Sequence, residues 1–333
     1  MKYAIANKSS YRLGSVKTAL GPYVVLIFLI ITASILAPGF LTVQNVLNLL
    51  RSFSFLGFIS IGMTFVILSA GIDLSVASVL ALCGVVTALL QHWGIYLGYT
   101  DELSFIYPVP LIFFTVLVIG AALGFINGLV IAKLKIADFA ATLGMMVFAR
   151  GLAFAISGGR TIFGVSEATL FMGRGTIGNI PFVALLWIAA ILMSGFVLKY
   201  TIFGKNLYAS GENPEAARLS GINPDFYKIA VYTISGLLAA LSGICMTGRL
   251  NVGEPRVAQG WELDAIAAVV IGGTSFAGGE GGIVKTVVGV MIIALIRNIL
   301  SLLGILPEPQ QMIMGVVLLG AVILQHWSAK REV

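Results

Sequence analysis

The chain has 333 residues, 59% of them hydrophobic and 10% charged, with a formal net charge of +6 and a mean hydropathy of +1.02. A soluble domain carries roughly a quarter charged residues, so this composition places the chain in a lipid bilayer. Two histidines, His92 and His326, leave histidine-based metal or nucleophilic chemistry almost nothing to work with, and Cys83 and Cys245 lie in apolar runs as packed thiols rather than a disulfide.

In chain order, Lys2, Lys8, Arg12 and Lys17 precede a long apolar run with no clear cleavage site, which reads as an uncleaved signal anchor behind a cytoplasmic tail at 1–19. A hydrocarbon core of about 30 Å needs roughly 20 apolar residues per helix. Ten spans are expected, at 20–38, 53–71, 74–91, 108–132, 136–157, 180–198, 229–248, 263–278, 284–303 and 310–326, with a tail at 328–333. Charge orients them. With both termini inside, thirteen Lys and Arg fall in cytoplasmic segments, among them Lys133, Lys135, Lys199, Lys205, Arg218, Lys228 and Lys285. Four fall outside: Arg160, Arg174, Arg249 and Arg256. That asymmetry obeys the positive-inside rule and accounts for the net charge without nucleic acid. The loop from His92 to Tyr107 carries Asp101 and Glu102 and no Lys or Arg, as an outer loop does.

The halves at about 40–160 and 205–327 echo each other. "GIDLSVASVLAL" (71–82) and "WELDAIAAVVIGG" (261–273) each set an aspartate, Asp73 or Asp264, before an Ala/Val-rich helix, and "INGLVIAKLKI" aligns Asn127 with Asn298 of "RNILSLLGILP". The offset of five helices is odd, so the halves are inverted. The expected fold is an all-α membrane protein of about ten transmembrane helices in two inverted five-helix halves. Such repeats mark transporters, with the route between the halves.

Charge at mid-membrane costs about 2.5–3.5 kcal/mol. Asp73 and Asp264 avoid that cost by capping helix starts near an interface, with proton coupling the alternative. Arg150 in "FARGLAF" needs a carboxylate, water or the bundle interior, and Arg297 and Asn298 pose the same question. Gly120, Gly124 and Gly128 in "GAALGFING" fall on one helix face and suit close packing, with Asn127 beside them. Phe139 and Thr142, with Met145 and Met146, are candidates to line a route. "GGTSFAGGEGG" (272–282) fails as a phosphate loop, because Val284 rather than Gly precedes Lys285. It is expected to be a compact cytoplasmic turn. No catalytic constellation or metal-ligand set emerges, and no nucleotide site of the chain's own.

"GENPEAARLSGI" (211–222) is a polar island in the cytoplasmic segment 199–228. Asn213 is placed to cap a short helix, Pro214 to occupy its first position and Gly221 to end it. Glu215 and Arg218 share one face, and Ala216, Ala217 and Ser220 are small enough to fit a partner's groove.

Four stretches, "GMTFVILSAGIDLSVAS" (62–78), "FAATLGMMVFARG" (139–151), "GKNLYASGENPEAARLSGI" (204–222) and "ELDAIAAVVIGGTSFAGGEGG" (262–282), resemble the permease subunits of bacterial ABC importers for ribose, arabinose, xylose and related sugars. The resemblance runs from about Phe40 to Trp327. It implies that Asn213, Pro214, Glu215, Ala217, Arg218, Ser220 and Gly221 form the helix that docks on the ATPase. It also implies a second permease chain in a homodimer, a tandem-domain ATPase holding ATP and Mg, and a periplasmic solute-binding protein meeting Arg160, Arg174, Arg249 and Arg256. This chain itself needs no cofactor. Ala77 stands where relatives often have Gly, and Glu280 where many have a basic residue. A branched-chain amino-acid permease and an ion-coupled secondary transporter are the competing readings.

Overall fold

The computed structural model describes residues 21–96 and 108–331. The expected cytoplasmic tail, most of the expected outer loop at 92–107 and the last two residues lie outside them. Thirteen α-helices are described: α1 (Gly21–Leu36), α2 (Val43–Leu68), α3 (Val76–Tyr96), α4 (Val109–Leu134), α5 (Asp138–Ser157), α6 (Glu167–Arg174), α7 (Phe182–Tyr200), α8 (Ile202–Glu212), α9 (Pro214–Leu219), α10 (Pro224–Leu250), α11 (Trp261–Ile271), α12 (Ile283–Leu302) and α13 (Pro307–Arg331). Six of them, α2, α4, α5, α7, α10 and α12, are long and apolar enough to cross a membrane. The chain is an all-α membrane protein.

Helix α2 is the pillar of the bundle. Its residues from Phe53 to Leu68 are all buried, with Phe58, Ile59 and Met63 at 0% exposure. A helix apolar all round belongs in such a position. It packs against α7, α10, α11 and α12, while α10 packs against α2, α3 and α4. Gly120, Gly124 and Gly128 do face α10: a Cβ on any of them would overlap α10 backbone at Gly236, Tyr232 or Ile229. The expected small-residue seam is therefore the α4–α10 contact.

Two expected boundaries move. Helix α2 starts at Val43, not at 53, because Thr42 caps it (its Oγ1 accepts from the Asn45 N–H, 3.3 Å) and because Asn45 and Arg51 are buried by neighbours rather than exposed. The expected span at 263–278 is an 11-residue helix ending at Ile271, about 16 Å long at 1.5 Å per residue. It stops there because the glycine loop turns back: Gly273, Gly278, Gly279 and Gly281 all have positive φ. Residues 328–331 of the expected tail are helical, α13 running to Arg331.

Candidate functional site

The short helix α9 forms as its sequence dictates. Asn213 Oδ1 accepts from the Ala216 N–H at 3.0 Å, and Pro214 fills the first turn. At the other end the Ile222 N–H donates to Ala217 O (3.0 Å) and the Gly221 N–H to Arg218 O (3.1 Å), with Gly221 at φ +81°. Those two bonds satisfy the last carbonyls of the helix in a Schellman arrangement. Ala217 is buried, whereas Leu219 is 89% exposed, a large apolar side chain offered at the tip of a polar helix. Glu215 and Arg218, three apart on α9, do not pair with each other. Arg218 turns instead to Asp225 in the first turn of α10, at 3.6 Å.

Helix α8 ties α9 to the bundle. Tyr208 donates to Gly281 O (3.0 Å), and the Gly279 N–H donates to the carbonyl of Leu68 at the end of α2 (3.0 Å). Gly211 fits directly against that same Leu68 carbonyl. The glycine turn is thus a packed joint between α8 and the end of α2. Its Glu280 is exposed and lies 3.9 Å from Lys285.

A polar clamp missed by the sequence reading surrounds the α2–α3 loop, residues 69–75. Lys228 Nζ donates to the carbonyls of Ser69 (3.0 Å) and Ala70 (3.2 Å) and pairs with Asp138 Oδ2 at 2.7 Å. Tyr232 OH lies 3.0 Å from both Ile72 O and Asp138 Oδ2. Below it, Asp73 accepts from the Ser75 N–H (2.9 Å), Ser75 Oγ (2.6 Å) and Ser235 Oγ (2.8 Å), and Asn127 donates to Ser75 Oγ at 3.0 Å. Thr142 is fully buried and donates to Asp138 O (2.8 Å), whereas Phe139 is 59% exposed. The clamp is not legible in the sequence because Asp138 starts α5 while Lys228 and Tyr232, four apart, lie on α10, some ninety residues further along the chain.

The other candidates lie apart from this cluster. Arg150 donates to the carbonyls of Pro255 (2.7 Å) and Val257 (2.9 Å), so a loop backbone satisfies it rather than a carboxylate. Asp264 is not a helix cap. Its carboxylate forms a short ion pair with Arg297, one α-helix away. Asn298 exchanges hydrogen bonds with Asn45. Strands at Ile162–Phe163 and Val252–Gly253 pair antiparallel and join the two loops that carry the four arginines. Arg174 Nε donates to Arg249 O (2.8 Å), and Arg249 reaches Asn48 Oδ1 (3.3 Å). Arg256 sits 5.3 Å from the Phe154 ring centre, and Arg160 is exposed.

These features define a multi-pass permease of the inner membrane. Residues 45–322 match the family described as the branched-chain amino acid transport system / permease component, and the chain belongs to that family. It is 39% identical to the ribose import permease protein RbsC of Haemophilus influenzae over 330 residues, 97% of this chain and 98% of that protein. It is 43% identical to RbsC of Bacillus subtilis over 313 residues, 92% of each chain. Its identity to the L-arabinose transport system permease protein AraH of Escherichia coli K12 is 36% over 336 residues, 98% and 96% of the two chains.

Proposed function

We propose that this chain is the membrane-spanning subunit of an ATP-binding-cassette importer for a pentose, hexose or related solute, driven by a separate ATPase. The names of its relatives, ribose and arabinose import permeases, support a sugar over a branched-chain amino acid. In this reading about ten helices lie in the membrane, α11 reaching only partway across, with both termini in the cytoplasm, so α9 faces the cytoplasm. The halves at about 40–160 and 205–327 are inverted copies. The crossed packing of α2 on α11 and α12, and of α10 on α3 and α4, supports that symmetry. Two copies of the chain form the route, with Asp73, Asn127, Phe139, Thr142, Arg150, Asp264 and Asn298 as its candidate polar and lining positions. A periplasmic solute-binding protein delivers the sugar onto Arg160, Arg174, Arg249 and Arg256. ATP and Mg are held by the ATPase, and the permease supplies two conformations rather than bond chemistry.

The observation that carries this reading is α9. A six-residue helix closed at both ends, with Leu219 89% exposed, has the form of a plug for a partner's groove. Ion coupling is the weaker reading, since Asp73 already accepts from three donors and Asp264 is paired with Arg297. The test is co-purification from mild detergent of the wild type and of Glu215→Arg/Leu219→Asp. A tandem ATPase bound to the wild type and lost from a still-folded double variant supports the docking role. No ATPase bound to the wild type under any nucleotide condition would overturn it.

A further inference from the structure

Where α4 turns into α5, two pairs of charges face each other. Lys135 and Asp138 stand three apart across the turn, and Asp225 and Lys228 stand three apart on the first turn of α10. The signs are complementary: Lys135 Nζ lies 2.8 Å from Asp225, and Lys228 Nζ lies 2.7 Å from Asp138. Asp225 also takes Arg218 of α9 at 3.6 Å and Lys133 of α4 at 3.8 Å. One carboxylate therefore touches the end of α4, the turn into α5 and the short helix α9. Lys135 is itself in the left-handed region at φ +56°, as the residue that caps the C-terminus of α4.

Helix α5 packs sparsely within its own chain: 17% of its most apolar 18-residue stretch is buried, against 28–89% for the other five long apolar helices. At its far end it is held through Arg150 and two loop carbonyls. Near α9 it is held through Asp138 and the turn before it.

We propose that Asp225 is a positioning residue that passes displacement of α9 to the α4–α5 turn, and so sets the position of α5 during transport. The proposal rests on the docking role of α9 given above. Removing the carboxylate cuts the tie and leaves Lys133, Lys135 and Arg218 repelling one another.

The experiment uses the full complex of permease, ATPase and binding protein in proteoliposomes, and reads sugar taken up per ATP hydrolysed. Asp225→Asn should still capture an active ATPase, yet lose about tenfold in uptake per ATP, a loss within the usual range of coupling between sites. Asp225→Glu should restore most of it. Lys135→Met, a change at an exposed side chain, should lower the same ratio, and combining it with Asp225→Asn should add little. Wild-type uptake per ATP in Asp225→Asn overturns the proposal, as do independent, multiplying losses in the double variant. Should Asp225→Asn not fold, Lys135→Met alone decides, and an unchanged ratio there sinks the idea. Failure of the wild type to capture any ATPase instead overturns the docking role of α9, and the proposal with it.

Discussion

Asn45 and Asn298 face each other as reciprocal amides: Asn298 donates to Asn45 at 2.8 Å and Asn45 donates back at 3.2 Å. The pair joins α2 to α12, and the Thr64–Thr286 hydroxyl contact at 2.6 Å joins the same helices further along. The two polar contacts lie on one apolar seam, and sliding the helices would leave the buried Asn45 side-chain oxygen without its donor, which favours this register of α12 against the central pillar.

Asn298→Leu strips the partner from a buried amide and is expected to cost about 1 kcal/mol, within the range for membrane hydrogen bonds. Thermal unfolding of the purified protein in detergent measures it. Asn45→Leu/Asn298→Leu should recover part of the loss, and strictly additive effects would contradict the pairing.

Breaking the Asp264–Arg297 pair should be harsher. Asp264 is 4% exposed, and Arg297→Met leaves it buried without its counter-charge, at a cost of about 3 kcal/mol. The double replacement Asp264→Leu/Arg297→Met should be more stable than Arg297→Met alone. A single variant with wild-type melting would show that the pair carries no structural load.

The α4–α10 seam makes a sharp contrast between glycines. Gly124→Leu drives a side chain into the Tyr232 carbonyl, and overpacking of this kind costs about 1–3 kcal/mol or more. Gly144→Ala on α5 meets open space and should leave the melting temperature unchanged or raised. Equal destabilisation by both would mean that helix flexibility rather than close approach sets the seam.

Asn213→Ala removes the side-chain cap of α9, worth about 1 kcal/mol. If that order is spent on docking, ATPase affinity should weaken about fivefold. Binding of the purified ATPase to permease in nanodiscs reads the change, and Asn213→Asp should stay near wild type because its oxygen still caps. Loss of affinity in Asn213→Asp equal to that in Asn213→Ala would argue against capping as the cause.

Much of this protein is local, and local order is legible in a sequence. Apolar run length places a helix on every expected span, since lipid tolerates little else. The caps of α9 are read from Asn213, Pro214 and Gly221 because each acts within a few residues of itself. The glycine seam of α4 shows through its spacing of four. What the sequence could not decide is which distant group satisfies each buried charge. Asp264 reads as a helix cap, with proton coupling the alternative, until Arg297 is brought beside it. Arg150 finds carbonyls rather than a carboxylate because a loop more than a hundred residues away folds over it. Lys228 and Tyr232 share a face of α10, but nothing local links them to Asp138, and only the meeting of α5 and α10 over the α2–α3 loop turns the three into a clamp. Local backbone geometry follows from neighbours in the chain, whereas the partner of a charge follows from the packing of helices, which depends on the whole bundle at once.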